Sequence, residues 1–193
     1  MIMKYTRESI QNRFNNGEKL KFVFFWGHGK TSDGSLTKTC FSQWWDCKFT
    51  VDGIEYHTAE QFMMAQKAVL FGDEAIRKEI MAAGHPKQFK DLGRKISHFD
   101  QKVWDEKCCE IVIKGNVAKF SQNDDLKEFL LNTNSRVLVE ASPMDKIWGI
   151  GMAEDEPKVD NPNLWKGKNF LGCCLMEARD IISEGRVNEY IKP

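Results

Sequence analysis

The pattern of hydrophobic and polar positions along the chain predicts a domain that is mostly helical. Apolar residues recur every three or four positions through much of the chain, which is the spacing of one face of a helix. In the longest such segment, Trp104, Cys108 and Ile111 share one face. Helices are predicted over residues 6–15, 58–71, 75–81, 86–92 and 100–120, then from Ser121, where a cap is expected, and from Asn169.

Short strands are predicted at four places. Residues 21–26 are rich in aromatic side chains, and residues 136–140 nearly alternate between apolar and polar. Residues 48–51 and 54–56 flank an Asp-Gly pair, which is typical of a tight hairpin turn. We therefore expect a fold that is mainly α with a small antiparallel β-sheet, in the α+β class.

Two segments have no regular pattern and are predicted to be loops. Residues 27–38 are rich in Gly, Ser and Thr, and residues 151–168 combine acidic residues with two prolines. Long irregular loops in small domains often carry function.

Composition narrows the class of protein. The chain has 193 residues, a usual length for one domain, with 28 basic and 28 acidic side chains and no net charge. This balance excludes the broad basic surface of a protein that follows a nucleic-acid duplex. No apolar segment resembles a signal peptide or is long enough for a membrane helix, so we expect a cytoplasmic protein without a membrane partner. The six cysteines form no C-x-x-C motif and are expected to be reduced thiols rather than metal ligands.

The predicted helix over residues 58–71 carries the strongest candidate chemistry. Glu60 and Lys67 are seven residues apart, so they differ by only about 20° around the helix axis. Because the helix is apolar on nearly all sides, it should be buried, and burial shifts the pKa of both groups toward catalytic use. The alternative is a buried ion pair with a structural role only.

Three further groups of residues are candidates for a binding site. Between residues 141 and 152, Asp145 and Trp148 flank a predicted tight turn, where Gly149 permits close approach of a ligand to the backbone. Adjacent tryptophans at 44 and 45 cannot both face one core if the segment is extended. Arg94 suits phosphate recognition, although its sequence context taken alone favours an ordinary surface position.

These residues occur within a series of motifs that resembles the YbiA-like, or NADAR, family. The motifs, in order, are F-S-Q-W at 41–44, A-E-Q-F-M-M-A-Q-K-A at 59–68, L-G-R at 92–94, L-V-E-A-S-P-M-D-K-I-W-G-I-G at 138–151 and W-K-G-K-N-F-L-G at 165–172. The resemblance covers about residues 41–182 and implies a catalytic domain over 39–193 with an N-terminal extension at 1–38. Gln43 departs from the family, in which asparagine is common at this position.

The resemblance implies hydrolysis of a ribosyl C1–N bond without a cofactor or a metal ion. The expected catalytic residues are Glu60, Lys67 and Asp145. The expected substrate-binding residues are Ser42, Trp44, Arg94, Trp104, Trp148, Gly149 and Asn169.

Two substrates are compatible with this resemblance. The first is ADP-ribose attached to guanine, free or as a single modified nucleotide of DNA. The second is a ribosylaminopyrimidine phosphate of riboflavin biosynthesis. A non-catalytic module that binds ADP-ribose or a nucleotide is a further alternative, and such a module would not need Glu60.

Overall fold

The structure is a computed structural model that describes residues 3–29 and 31–191. Met1, Ile2, Lys30, Lys192 and Pro193 lie outside the described residues. The predictions for the N-terminal extension, the first loop and the end of the domain are therefore compared with the structure only over their remaining residues.

Helices form most of the regular structure. The α-helices are α1 (Arg7–Asn15), α2 (Ala59–Leu70), α3 (Glu74–Ala82), α4 (Pro86–Gly93), α5 (Gln101–Ser121), α6 (Asp124–Leu131), α7 (Phe170–Ser183) and α8 (Val187–Tyr190). Four helices begin after a side chain that accepts the backbone N–H three residues later, and these caps are Thr6, Thr58, Asp73 and Asp100. In the described part of the chain, no helix is long and apolar enough to cross a membrane.

Three local features differ from the sequence-based expectation. Ser121 was expected to cap a new helix, but it is the last residue of α5, and Asn123 precedes α6. The Ser121 hydroxyl donates back to the Ala118 carbonyl, so it extends α5 and does not cap α6. Short 3-10 turns occur at Lys38–Phe41 and Pro162–Leu164, and α8 was not predicted.

The strands form two separate pairs. They are β1 (Phe22–Phe25), β2 (Phe49–Val51), β3 (Ile54–Tyr56) and β4 (Val137–Glu140). The predicted hairpin is confirmed, because β2 and β3 pair antiparallel. β1 and β4 instead pair in parallel, with Phe25 opposite Glu140. The α+β class is confirmed, and the parallel pair adds a feature that local patterns did not reveal.

The parallel pair connects the first quarter of the chain to its last third. β1 belongs to the predicted extension, yet it lies beside β4 and its Phe25 is buried. α7 packs on β4, and α5 packs against both α2 and α7. The loops that follow β1 and β4 therefore begin at the same edge of the pair.

A glycine permits a close approach between α7 and β4. A Cβ atom at Gly172 would lie 2.1 Å from the Leu138 carbonyl oxygen and 2.6 Å from the Asn169 side chain. Both distances are shorter than a normal van der Waals contact. The oxygen belongs to β4, which is paired with β1 and cannot shift by itself. Residue 172 therefore sets the distance between helix and strand.

We expect Gly172→Ala to lower the free energy of unfolding by about 1–3 kcal/mol or more, because the added methyl group overpacks a rigid contact. Urea unfolding followed by circular dichroism measures this loss. Gly84→Ala is the matched control, since a Cβ there meets no atom within 4 Å, and it should change stability by less than about 0.5 kcal/mol. Equal stability of the two variants would contradict the close approach.

Candidate active site

Glu60 is held at the first turn of α2, against the segment that contains Trp44. Thr58 caps the helix, and the Glu60 backbone N–H donates to the Gln43 carbonyl oxygen over 2.9 Å. Only 5% of Glu60 is exposed. The backbone of both segments therefore fixes the position of this carboxyl group.

The environment of Glu60 favours its protonated form. Burial raises the pKa of Glu60 to about 7, and the negative charge of Asp145 adds to this shift. Lys90, the Trp44 indole N–H and Lys67 oppose the shift. Glu60 can therefore hold or release a proton near neutral pH, which suits a general acid or base.

Lys67 lies two turns further along α2 in an aromatic setting. Its ammonium group donates to the Gly93 carbonyl oxygen over 2.9 Å, and it lies 4.3 Å from the centre of the Phe99 ring and 5.3 Å from that of Trp104. Burial lowers the pKa of Lys67, whereas the charge of Glu60 opposes this change. Among the described residues, no ion pair joins Lys67 to Glu60, because the Lys67 ammonium group donates to Gly93 instead, and a catalytic role for either residue stays a prediction.

Asp145 organises the turn that follows β4. Its Oδ1 atom accepts the backbone N–H groups of Ile147 and Trp148, each over 2.8 Å. A Cβ atom at Gly149 would lie 2.9 Å from the Glu140 carbonyl oxygen and 3.0 Å from that of Asp145. The turn is therefore tightly closed, and it brings a carboxylate close enough to Glu60 for their charges to interact.

Glu140 is a third carboxyl group at this site, and it was not predicted from the sequence. It is the last residue of β4, and its Oε2 atom is buried without a hydrogen-bond partner in the described part of the chain. Burial, followed by the charges of Asp145 and Glu60, raises the pKa of Glu140 to about 8, against the opposing charge of Lys90. An acidic residue at the end of a buried apolar strand is the signal that could have revealed it.

The segment that positions Trp44 depends on another residue that was not predicted. The Ser42 hydroxyl accepts the Trp44 backbone N–H over 3.1 Å. Lys119, which is fully buried, donates to the carbonyl oxygens of Cys40 and Ser42 over 2.6 and 2.9 Å. Lys119 thus ties this segment to α5, and half-buried Trp44 reaches Glu60 from it.

Two other predicted binding residues take part in packing. Trp148 is half-buried and meets the ring of Phe170 edge to face at 6.1 Å. Asn169 is fully buried, with both ends of its side-chain amide bound to the backbone of β4, to the Glu140 N–H and to the Leu138 carbonyl oxygen. The structure gives Asn169 a structural role, and its contact with a substrate stays a prediction.

The side chain of Arg94, a predicted binding residue, contacts an acidic residue outside this site. Its side chain is 69% exposed and lies 3.5 Å from the Asp91 carboxylate. It follows Gly93, whose carbonyl oxygen accepts a hydrogen bond from Lys67. The role of Arg94 in binding a phosphate stays a prediction.

The raised pKa of Glu140 gives a stability test. The unfolded carboxyl group, with a pKa near 4.5, loses its proton before the folded one, so the stability that Glu140 contributes at low pH is lost as pH rises from 4.5 to about 8. Relative to the native chain, Glu140→Gln should therefore gain on the order of 1–3 kcal/mol in free energy of unfolding between about pH 5 and pH 8.

Urea titrations at a series of pH values measure this difference for Glu140→Gln. Glu128→Gln, at an exposed position of α6, is the matched control for loss of one glutamate. A stability difference between Glu140→Gln and the native chain that is constant across the pH range would contradict the buried, protonated state of Glu140.

Comparison with known proteins places this arrangement in a family. The model of the NADAR domain matches residues 24–183. The chain is 44% identical over 165 residues to N-glycosidase R617 of Acanthamoeba polyphaga mimivirus, which covers 83% of this chain and 95% of that protein. It is 34% identical over 150 residues to N-glycosidase YbiA of Escherichia coli, which covers 78% of this chain and 83% of YbiA.

A solved structure supports the same assignment. The NMR structure of E. coli YbiA superposes with a TM-score of 0.67 at 29% sequence identity, over 86% of this chain and 88% of that one. The family match begins at residue 24, so it includes the second half of β1, and the predicted division at residue 38 stays a prediction. The sequence resemblance is confirmed, and the chain belongs to the NADAR domain family.

Proposed function

We propose that this protein hydrolyses an N-glycosidic bond between C1 of a ribose and a nitrogen atom. The observation that carries the proposal is the buried Glu60 carboxyl group, whose pKa is raised to about 7 beside Asp145. The names of the relatives support the same reaction class, since both curated relatives above are named as N-glycosidases.

The chemistry of this bond explains why a buried carboxyl group with a raised pKa would assist its cleavage. Cleavage of a glycosidic bond develops positive charge at C1 while the leaving atom gains electrons and needs a proton. Glu60, protonated, supplies that proton to the departing nitrogen as a general acid. Asp145 provides negative charge near C1, and the Trp44, Trp104 and Trp148 rings bound the sugar and the base.

Lys67 offers a covalent alternative to direct attack by water. Its lowered pKa increases the fraction of the neutral amine, which is the nucleophilic form. In this route the amine forms a C–N bond to C1 of the ring-opened ribose, and the base leaves with a proton from Glu60. Water then hydrolyses the resulting imine, which releases the aldehyde and restores Lys67.

For the substrate, we propose ADP-ribose linked to guanine, and a ribosylaminopyrimidine phosphate is the alternative. Zero net charge favours recognition of one modified nucleotide over binding along a nucleic-acid strand. A non-catalytic binding module is disfavoured because it would not need a buried acid whose pKa lies near neutrality. Incubation with both substrates side by side, with mass detection of the released base, ranks them.

Glu60→Gln should lower kcat by about 100-fold or more, because an amide cannot donate the proton. Steady-state assays with an ADP-ribosylated guanosine oligonucleotide measure this loss, and Glu128→Gln is the control that should keep full activity. In the native enzyme, kcat should fall as pH rises above about 7, since Glu60 then loses its proton. Full turnover by Glu60→Gln would refute its role as the acid.

Borohydride added during turnover should reduce an imine on Lys67 and leave the ribosyl group attached to that residue. Peptide mass spectrometry locates the added mass, and Lys67→Arg, which keeps the charge without a nucleophilic amine, should show none. An unmodified Lys67 in an active enzyme would exclude the covalent route and leave this residue an electrostatic role.

A further inference from the structure

Glu140 is a carboxyl group of the candidate site to which the proposed mechanism gives no role. Its backbone is held firmly at the end of β4. The N–H donates to the Asn169 side-chain oxygen over 3.0 Å, and the carbonyl oxygen accepts the Ile150 N–H over 2.9 Å. Glu140 also lies opposite Phe25 in the parallel pair. The side chain therefore starts from a position that cannot shift without breaking these hydrogen bonds.

The protein supplies no donor to the buried end of this side chain. In the described part of the chain, the Oε2 atom of Glu140 is buried and has no hydrogen-bond partner. The other two carboxyl groups of the site have donors, since the Trp44 indole N–H reaches Glu60 and two backbone N–H groups reach Asp145. A buried polar atom without a partner is costly and rare in native proteins, so a donor from a ligand would stabilise this atom.

The charges around Glu140 decide which kind of ligand group suits it. Besides burial, the charges of Asp145 and Glu60 raise the pKa of Glu140, and Lys90 opposes them. A phosphate group would bring further negative charge to these acids. Among the described residues, no group of three His, Cys, Asp or Glu side chains could hold a metal ion. A neutral hydroxyl adds no charge, and it can both donate to a carboxyl oxygen and accept its proton.

The position of Glu140 beside Glu60 indicates which hydroxyl this is. Glu60 must reach the nitrogen atom on C1 in order to protonate it, and Glu140 lies close enough to feel the charge of Glu60. In a ribosyl N-glycoside, the hydroxyl on C2 is the hydroxyl nearest to that nitrogen. Hydrogen bonds to the hydroxyl at C2 also strengthen in the transition state of glycoside hydrolysis, so a partner for this group would assist cleavage.

We propose that Glu140 binds the hydroxyl group at C2 of the ribosyl substrate and selects ribose over 2-deoxyribose. The inference rests on the proposed function, since it locates C1 by the nitrogen atom that Glu60 protonates. Glu140 is then a substrate-binding residue, and proton donation stays with Glu60. This assigns a preference for the sugar, which neither the family resemblance nor the names of the relatives supply.

Binding of two sugar phosphates tests this contact without cleavage. Ribose 5-phosphate is the part that both candidate substrates share, and 2-deoxyribose 5-phosphate lacks only the hydroxyl at C2. In calorimetric titrations, the native protein should bind ribose 5-phosphate at least about tenfold more tightly than the deoxy sugar, as expected for a hydrogen bond that satisfies a buried group.

Two substitutions of Glu140 separate the contact from a role in packing. Glu140→Met keeps the length of the side chain without its polar atoms and should lose most of the preference. Glu140→Gln should keep most of it, because an amide can still accept and donate. A role in packing alone would change the affinity for both sugars alike and leave their ratio unchanged. Glu128→Met, at an exposed position of α6, is the matched control and should keep the native ratio.

Equal binding of the two sugars by the native protein, no binding of ribose 5-phosphate, or a preference that survives in Glu140→Met would each overturn the inference. The proposed function is judged separately, by cleavage of a ribosyl N-glycoside. A preference that depends on Glu140, without cleavage, would support the hydroxyl contact and refute the hydrolase.

Cleavage rates of ribosyl and 2-deoxyribosyl substrates complete the test. The ratio of the two rates is compared between the native protein and Glu140→Met, which cancels the different intrinsic reactivity of the two sugars. Cleavage with the same ratio in both proteins would support the hydrolase and refute the hydroxyl contact. A ratio that falls at least about tenfold in Glu140→Met would support both.

Discussion

The buried amide of Asn169 controls the geometry on which the candidate site depends. Its oxygen accepts the Glu140 N–H, and its nitrogen donates to the Leu138 carbonyl oxygen. One side chain therefore makes the hydrogen bonds to β4 that a neighbouring strand would otherwise make. Asn169 adopts positive φ just before α7 begins. The strand end, the turn after it and the helix start are thus held by one residue that solvent cannot reach.

From this anchored strand end, the fold gathers acidic side chains in a place where their charge is costly. The Glu60 side chain and the Glu140 Oε2 atom are buried near Asp145. The opposing charge comes from Lys90 for both groups and also from Lys67 for Glu60. Buried groups of like charge cannot all ionise without a large penalty, so the site retains protons at neutral pH. Burial of these carboxyl groups therefore has two consequences. It lowers the stability of the fold, and it keeps a proton available for transfer.

Local patterns were sufficient for most helices but not for the site as a whole. Thr58 and Asp100 predicted helix starts because a cap acts over three residues, and Asp-Gly predicted the hairpin for a similar reason. The parallel pairing of β1 with β4 joins segments more than a hundred residues apart, and no local rule could find it. A role in the site was not predicted for Glu140 because this residue continues the pattern of the predicted strand.

The family resemblance supplied roles that spacing alone did not, and the structure adds physical reasons for some of them. Lys67 shares a face of α2 with Glu60, but the carbonyl oxygen of Gly93 and two aromatic rings satisfy its ammonium group, which leaves Glu60 without a direct ion-pair partner. A close ion pair would have lowered the pKa of the carboxyl group and removed its use as an acid. The separation of the two charges along one helix, with aromatic rings around the amine, therefore leaves the pKa of Glu60 raised and that of Lys67 lowered, and the proposed cleavage of a C–N bond uses both shifts.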